Sequence, residues 1–195
     1  FFSWPVHEGR DLTWLRNYPE PTSVFGYQVN FDFFGAYDVD RDFGIVQVAD
    51  HYVLPGKKAW TWGESQAGKV AQSALTDNDG PYIEVQSGPL PTQADFGLLE
   101  PGQEISWREY WYPVAGLGDG FEYATRDVAI QRHGTATGVR FDFAATREMR
   151  DVALTIERQD GRTEHRMLYL SPTRTETIEV DTAATSPDPG AMQMR

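Results

Sequence analysis

The 195-residue sequence contains no cysteine, which excludes disulfide bonds, thiolate nucleophiles and cysteine-ligated metal sites. It also lacks any apolar run near the roughly 20 residues that a membrane-spanning helix requires, so we expect no membrane insertion. Positive charge is scarce, because 17 basic residues stand against 29 acidic ones and give a net charge of −12. Such an acidic chain repels phosphate backbones, which argues against a nucleic-acid partner and favours neutral or cationic ligands.

Motifs for metals and cofactors are absent as well. The four histidines, His7, His51, His133 and His165, show no HxH or HExxH spacing. No GxGxxG, P-loop or GxSxG occurs, and the DNDG at 77–80 lacks the distal ligands of a calcium loop. We therefore expect no metal and no cofactor. The cellular compartment stays open, since many secreted and many cytosolic proteins lack cysteine.

Strand signals dominate what is present. Runs rich in Val, Ile, Phe, Tyr, Trp and Thr, separated by Gly, Pro, Asn or Asp, predict strands at 25–37, 43–54, 58–62, 81–87, 103–114, 126–132, 138–145, 151–159, 163–170 and 174–181. QDGR at 159–162 predicts a hairpin, and only 11–17 and 65–75 have the pattern of a helical turn or two. The sequence predicts an all-β protein.

The chain is expected to divide within 115–125, where three glycines interrupt the strand pattern and GLGDG predicts a loop. We predict one part at 1–118, a small immunoglobulin-like sandwich at 119–181 and a flexible tail at 182–195. The inward rows of the sandwich are Val139, Phe141 and Phe143, and Val152, Leu154 and Ile156. The chain begins FFSWP, without an initiator methionine, so we expect an internal piece of a longer protein.

Residues 60–88 contain the most informative pattern, two strands that flank a polar loop and a DNDG turn. Alternation on the second strand places Tyr82, Glu84 and Gln86 on one face. The row expected to be buried is Pro81, Ile83 and Val85. Aromatic rings stack on sugars, and carboxylates and amides bond to hydroxyls, so the polar face is a candidate carbohydrate site. The alternative is a face that is polar only because it meets water, as in most antiparallel sheets.

Trp60 and Trp62 share one face of the first strand, with Lys58 in the same row. They are either a stacking platform, with Asp79 or Glu84 near to bond hydroxyls, or simply core. The irregular segment between Trp4 and Trp14 contains His7 and is a candidate pocket rim, or only a well-tied turn.

Two further candidates concern acid–base chemistry. Glu109 lies in the row Ile105, Trp107, Glu109, Trp111. A carboxylate buried there needs a raised pKa, which suits a general acid, or an ion pair with Arg108, Arg126 or a lysine. His51 is a candidate acid or base, or only a hydrogen-bonded strand residue.

Four ordered segments together resemble the uncharacterised bacterial DUF5107 family. They are WPVHEGRDLTWLRNYPEP, FGAYDVDRDFGIVQVADHYVLPGKKAWTWG, LTDNDGPYIEVQSG and EYWYPVAGLGDG, and the match covers about residues 4–180. In that family the domain often precedes tetratricopeptide repeats, and the family is similar to the galactose mutarotase-like group. The resemblance implies the carboxy-terminal part of a sugar-binding β-supersandwich, followed here by the small sandwich. In aldose epimerases a glutamate and a histidine move the protons, which implies Glu84 with His51 or His7.

We therefore predict a domain that binds or processes carbohydrate within a larger protein, and that contacts the rest of the same polypeptide. Predicted catalytic residues are Glu84, Glu109 and His51, and predicted substrate-binding residues are Trp60, Trp62, Asp79, Tyr82, Gln86 and His7. Paired carboxylates Glu84 and Glu109 would suit glycoside hydrolysis if their separation allowed it. The alternatives are a non-catalytic carbohydrate-binding module and a structural or interaction domain beside a repeat array.

Overall fold

The backbone is mostly β, with several antiparallel sheets and one short helix, in a computed structural model that describes residues 3–158, 160–181 and 193–194. The all-β prediction is confirmed at this coarser level of a mostly-β chain. The tail expected at 182–195 lies outside the described residues, except for a short strand at Gln193–Met194. Within the described part, no helix combines the length and apolar character needed to cross a bilayer.

Short antiparallel strands account for most of the regular structure. In chain order they are β1 (Val6–His7), β2 (Arg10–Asp11), β3 (Thr22–Phe25), β4 (Phe33–Asp38), β5 (Phe43–Val48), β6 (Gly56–Thr61), β7 (Ile83–Gly88), β8 (Tyr110–Ala115), β9 (Tyr123–Ala124), β10 (Val128–Gly134), β11 (Gly138–Ala145), β12 (Met149–Glu157), β13 (Thr163–Leu170), β14 (Glu176–Asp181) and β15 (Gln193–Met194). A 3₁₀ helix spans Leu15–Asn17, and the α-helix α1 spans Gln66–Thr76.

The chain forms two compact units, each assembled from two separate stretches. The first unit comprises Phe1–Phe31 and Asp50–Trp107, and the second comprises Asp32–Ala49 and Arg108–Arg195. The domain limits predicted from the sequence, at 118 and 181, stay a prediction.

The first unit contains a three-stranded antiparallel sheet in the order β3-β6-β7, with a small β1-β2 hairpin. Helix α1 joins β6 to β7. Its Gln72 side chain is buried, donates from Nε2 to the carbonyl of Gly63 at 2.8 Å, and accepts from the backbone N–H of Tyr82 at 3.0 Å. Ser65 caps the helix, because its Oγ accepts an N–H of the first turn at 3.2 Å. The helix is longer than the turn or two predicted, since these side-chain bonds tie it to the flanking segments.

The second unit contains three sheets, in the orders β4-β5-β8, β14-β11-β10-β9 and β13-β12-β15. The last two share one hydrophobic core, made of Val139, Phe141, Phe143, Leu154, Ile156, Leu168, Leu170, Ile178 and Val180, with Val152 packed against it. This result confirms the two inward rows predicted from alternation. A second core lies among Val46, Tyr112, Val114, Leu117, Ala124, Ala129 and Ala144.

The predicted strand limits agree best with the observed ones where the sequence contains a clear turn motif. The hairpin predicted at 159–162 joins β12 to β13, with Gly161 at φ +82° and its N–H bonded to the carbonyl of Arg158 at 2.9 Å. The strand predicted at 103–114 begins only at Tyr110, and Ile105 and Trp107 are exposed in irregular chain. The expected buried row through Glu109 is therefore wrong for the residues before β8. Alternating residues form a strand only where a neighbouring strand pairs with them, and the sequence pattern does not show whether one is present.

The glycine-rich loop at 116–120 is pinned by two polar side chains of the same unit. Asp42 accepts from the Tyr37 hydroxyl at 2.5 Å and from the N–H of Gly118 at 2.8 Å, while the Tyr37 oxygen accepts the N–H of Leu117 at 3.0 Å. All three glycines of the loop have positive φ, which favours glycine. The loop predicted from GLGDG is thus confirmed, and it brings the fully buried Leu117 into the second core.

We expect Phe141→Ala to lower the free energy of unfolding of the second unit by about 3–5 kcal/mol, since a large buried side chain leaves a cavity. Phe141 is 2% exposed, whereas Met167 on the same unit is 63% exposed. The control Met167→Ala should therefore cost about 0.5 kcal/mol or less. Urea unfolding followed by circular dichroism measures both, and equal costs would contradict the placement of this core.

A second prediction concerns acid stability. The hydrogen bond from Tyr37 holds the pKa of Asp42 below its usual value. A carboxyl whose pKa is lower in the folded state stabilises the fold above its unfolded pKa of about 3.9, and this stabilisation is lost as the pH falls through the folded pKa. The free energy of unfolding of wild type should therefore exceed that of Asp42→Asn at neutral pH. The difference should shrink as the pH falls below about 4. A difference independent of pH would contradict the role of this charge.

Candidate functional site

One face of the first unit's sheet carries most of the predicted binding residues. In the antiparallel register, Trp60 on β6 lies opposite Ser23 on β3 and opposite Glu84 on β7. Side chains directly opposite each other point to the same side of a sheet. Trp62 and Tyr82 continue the alternation just beyond the ends of β6 and β7. We call Trp60, Trp62, Tyr82, Glu84 and Gln86 the aromatic–carboxylate face.

The carboxylate of this face is oriented by its neighbours on the same strand. The Tyr82 hydroxyl donates to Glu84 Oε1 at 3.0 Å, and the Gln86 amide donates to Glu84 Oε2. The hydrogen bond to Glu84 is the main cause that raises the pKa of the Tyr82 hydroxyl, so this hydroxyl stays a donor. The predicted shared face of these three residues is confirmed. The opposite row is not buried as expected, because Ile83 is exposed and Val85 only half-buried.

The two tryptophans are neither core residues nor freely exposed. Both are half-buried, and their rings stand nearly perpendicular at 85°, with centroids 4.6 Å apart. This edge-to-face arrangement is a favourable one for aromatic pairs. The Trp62 Nε1 atom is buried and meets no hydrogen-bond acceptor among the described residues. The two rings thus form an aromatic corner next to Glu84.

Lys58 lies in the same row and on the same side of the sheet, where it is opposite Gln86 on β7. It pairs with Phe25 on β3, and its Nζ lies 5.7 Å from the centroid of that ring. The same Nζ donates to Gln93 Oε1 at 2.8 Å. The predictions missed Ser23, Phe25 and Gln93 as neighbours of this face. The strand predicted from the sequence begins at residue 25, whereas β3 ends there, at Thr22–Phe25.

Other predicted residues of the first unit occupy turns and the small hairpin. Asp79 is exposed in the turn after α1, where its N–H bonds to the carbonyl of Thr76 at 2.9 Å. His7 on β1 accepts the N–H of Ser3 at Nδ1, at 3.3 Å. The His51 ring packs against Tyr52, with centroids 4.0 Å apart. The roles assigned to Asp79, His7 and His51 stay predictions.

Glu109 belongs to the second unit and has a polar surrounding of its own. Its Oε2 accepts from the Gln47 amide at 3.1 Å and from the Trp111 indole N–H at 3.0 Å. Gln47 lies opposite Trp111 across β5 and β8 and is fully buried. Gln47 was missed as a partner of Glu109, although a single amide inside the apolar run GIVQV is the signal that points to it. Because Glu84 lies in the first unit, the pairing of the two carboxylates stays a prediction.

These features define a mostly antiparallel β protein with an aromatic and carboxylate face on one sheet. The chain belongs to the DUF5107 family, a domain of unknown function, whose sequence profile matches residues 2–114. The family resemblance inferred from the sequence segments is therefore confirmed, but the family match ends at residue 114 and does not extend to about residue 180 as expected.

A solved structure similar to this chain is the crystal structure of a TPR-domain containing protein from Parabacteroides distasonis ATCC 8503. The two sequences are 31% identical over the aligned part, with a TM-score of 0.44. The match covers 54% of this chain and 18% of that protein, so the chain spans less than a fifth of its length.

The contact between Tyr82 and Glu84 yields a spectroscopic prediction. Glu84→Gln should lower the pKa of Tyr82 towards its usual value, because a neutral amide holds the hydroxyl proton less strongly than a carboxylate. NMR titration of ¹³C-labelled tyrosine measures this change. Glu64→Gln, which removes a carboxylate paired with Lys69 at 3.2 Å, should leave Tyr82 unchanged. Identical titration of Tyr82 in wild type and Glu84→Gln would contradict the contact.

Proposed function

We propose that this chain is a carbohydrate-binding domain of a larger protein, with the sugar held on the aromatic–carboxylate face. The observation that carries the proposal is the perpendicular Trp60–Trp62 pair directly beside an oriented Glu84. The C–H face of a sugar ring packs on an indole, while the carboxylate and the amide of Gln86 bond to hydroxyls at the ring's edge.

The hydrogen bonds on Glu84 add further support. Orientation by Tyr82 and Gln86 lowers the cost of binding, because the carboxylate does not have to be ordered by the ligand.

Binding without turnover is the function that these contacts support best. To process the sugar, the site would in addition need a proton donor or a second carboxylate close to Glu84. Within the first unit, His51 and His7 are the proposed candidates for an epimerase-like histidine partner.

We also propose the finer architecture that the family resemblance implies. Strands β1 to β8 would be the carboxy-terminal part of a galactose mutarotase-like supersandwich, and β9 to β14 a small immunoglobulin-like sandwich. The rest of the same polypeptide, including repeats of the tetratricopeptide type, would then complete the supersandwich and contact this chain.

A second candidate function, an interaction domain, is favoured by the irregular segment after β7. Phe96 and Leu98 are 93% and 81% exposed there. Turns on either side define the segment, since Asp95 accepts from Thr92 at 2.8 Å, and the N–H of Gln103 bonds to the carbonyl of Glu100 at 2.9 Å. Exposed apolar side chains on ordered turns are a common feature of protein interfaces.

A glycan array followed by titration calorimetry tests the proposed function. We expect wild type to bind a sugar and Trp62→Ala to lower the affinity about tenfold, which corresponds to about 1.4 kcal/mol. Trp111→Ala removes an exposed tryptophan of the second unit and should leave the affinity unchanged. Thermal unfolding of each variant shows whether the fold is intact.

The proposed function would be wrong if no glycan binds, or if Trp111→Ala weakens binding as much as Trp62→Ala. In the first case, retention of a protein partner by wild type that is lost in Phe96→Ser would favour the interaction domain instead.

A further inference from the structure

The chemistry of the aromatic–carboxylate face defines which class of sugar it takes. Glu84 is an acceptor-only group, and each of its oxygens already accepts one hydrogen bond, from Tyr82 and from Gln86. A carboxylate oxygen has room for a further donor, and a charged donor forms a shorter and stronger bond than a hydroxyl. The remaining capacity of Glu84 therefore favours an ammonium group.

The neighbouring ring reinforces this preference. Trp60 lies directly opposite Glu84, so a group bonded to the carboxylate stands beside an indole. The faces of indole rings attract cations, by about 0.5–2 kcal/mol depending on how far the cation is desolvated. The same ring face packs against the C–H groups of a sugar. A ligand with a sugar ring and an ammonium group uses both properties at once.

Lys58, which lies on the same side of the sheet, does not occupy the position proposed for the ligand's ammonium group beside Glu84. Lys58 Nζ is engaged by Gln93 and lies over Phe25. Among the described residues, no ion pair within 4.0 Å joins Lys58 to Glu84. Within the described part of the chain, Glu84 thus has no cationic partner, and the ammonium group of Lys58 is bonded to Gln93 and lies over Phe25 instead.

The charge of the whole chain acts in the same direction. A net charge of −12 raises the local concentration of cationic ligands and repels uronic acids, sialic acids and phosphorylated sugars. Neutral sugars are unaffected by this field.

The geometry points to an amino sugar with a free, protonated amine as the ligand of this face. The inference rests on the proposed function and names its ligand class. The ring stacks on the Trp60–Trp62 corner, the ammonium bonds to Glu84, and the ring hydroxyls bond to Gln86 and to other groups at the edge.

The experiment compares matched oligosaccharides on the whole 195-residue chain. The probes are a glucosamine tetramer, the N-acetylglucosamine tetramer, cellotetraose and tetramethylammonium chloride, which carries the charge without the ring. Calorimetry is performed at a pH at which the glucosamine amines are protonated, at low and at high salt. We expect the glucosamine tetramer to bind at least tenfold more tightly than the others, and salt to weaken its binding selectively.

Two variants test whether the preference for the amino sugar comes from the carboxylate of Glu84. Glu84→Gln should weaken binding of the glucosamine tetramer about tenfold and change the affinity for cellotetraose less than about twofold. Glu64→Gln removes the same charge from the same unit and should change neither affinity. Thermal unfolding checks that both variants fold.

The outcomes separate this inference from the proposed function. If the acetylated tetramer or cellotetraose binds as tightly as the glucosamine tetramer, the amino-sugar inference is overturned while the carbohydrate site stands. If tetramethylammonium binds as tightly, the site recognises charge alone and the inference also fails. If none of the three oligosaccharides binds, the amino-sugar inference is overturned, and the glycan array alone decides whether the face binds another sugar.

Discussion

The candidate site depends on the register of one strand, β6, between its two neighbours. A shift of one residue would turn Trp60 away from Glu84 and place Lys57 and Ala59 on the aromatic–carboxylate face instead. The register is held at one end by Gln72, whose two hydrogen bonds join helix α1 to the residues that follow β6 and precede β7. A single buried amide in a short helix thus contributes to the position of every ring on the sheet.

The second unit is stabilised by different means, because its sheets share hydrophobic cores. The rows on β11 and β12 meet side chains of β13 and β14 in one core, and the loop at 116–120 delivers Leu117 into another. The position of this loop is maintained by the hydrogen bonds of Asp42 and Tyr37 together with the burial of Leu117. Burial and the bond to Asp42 raise the pKa of Tyr37 to about 12, so its hydroxyl remains a donor throughout the neutral range.

Two carboxylates of the chain, Glu84 and Glu109, are oriented by hydrogen bonds, but their surroundings differ. Glu84 and Glu109 are both held by neutral donors, and both lie beside a tryptophan. Glu84, however, is half-buried beside the Trp60–Trp62 pair, whereas Glu109 is bonded to a glutamine that is fully buried. This difference supports the proposed carbohydrate site on the first unit, where the acidity of the chain would favour cationic ligands.

The sequence by itself determined the mostly-β class, the family, the hairpin at 159–162, the two core rows and the shared face of Tyr82, Glu84 and Gln86. These features follow from local turn chemistry and from the period of two in a strand. Only the tertiary structure decided that Ile105 and Trp107 lie outside a strand, that Gln47 meets Glu109, and that Trp60 stands opposite Glu84. Pairing, register and burial involve residues far apart in the chain, and a local pattern contains no information about which strand will be the neighbour.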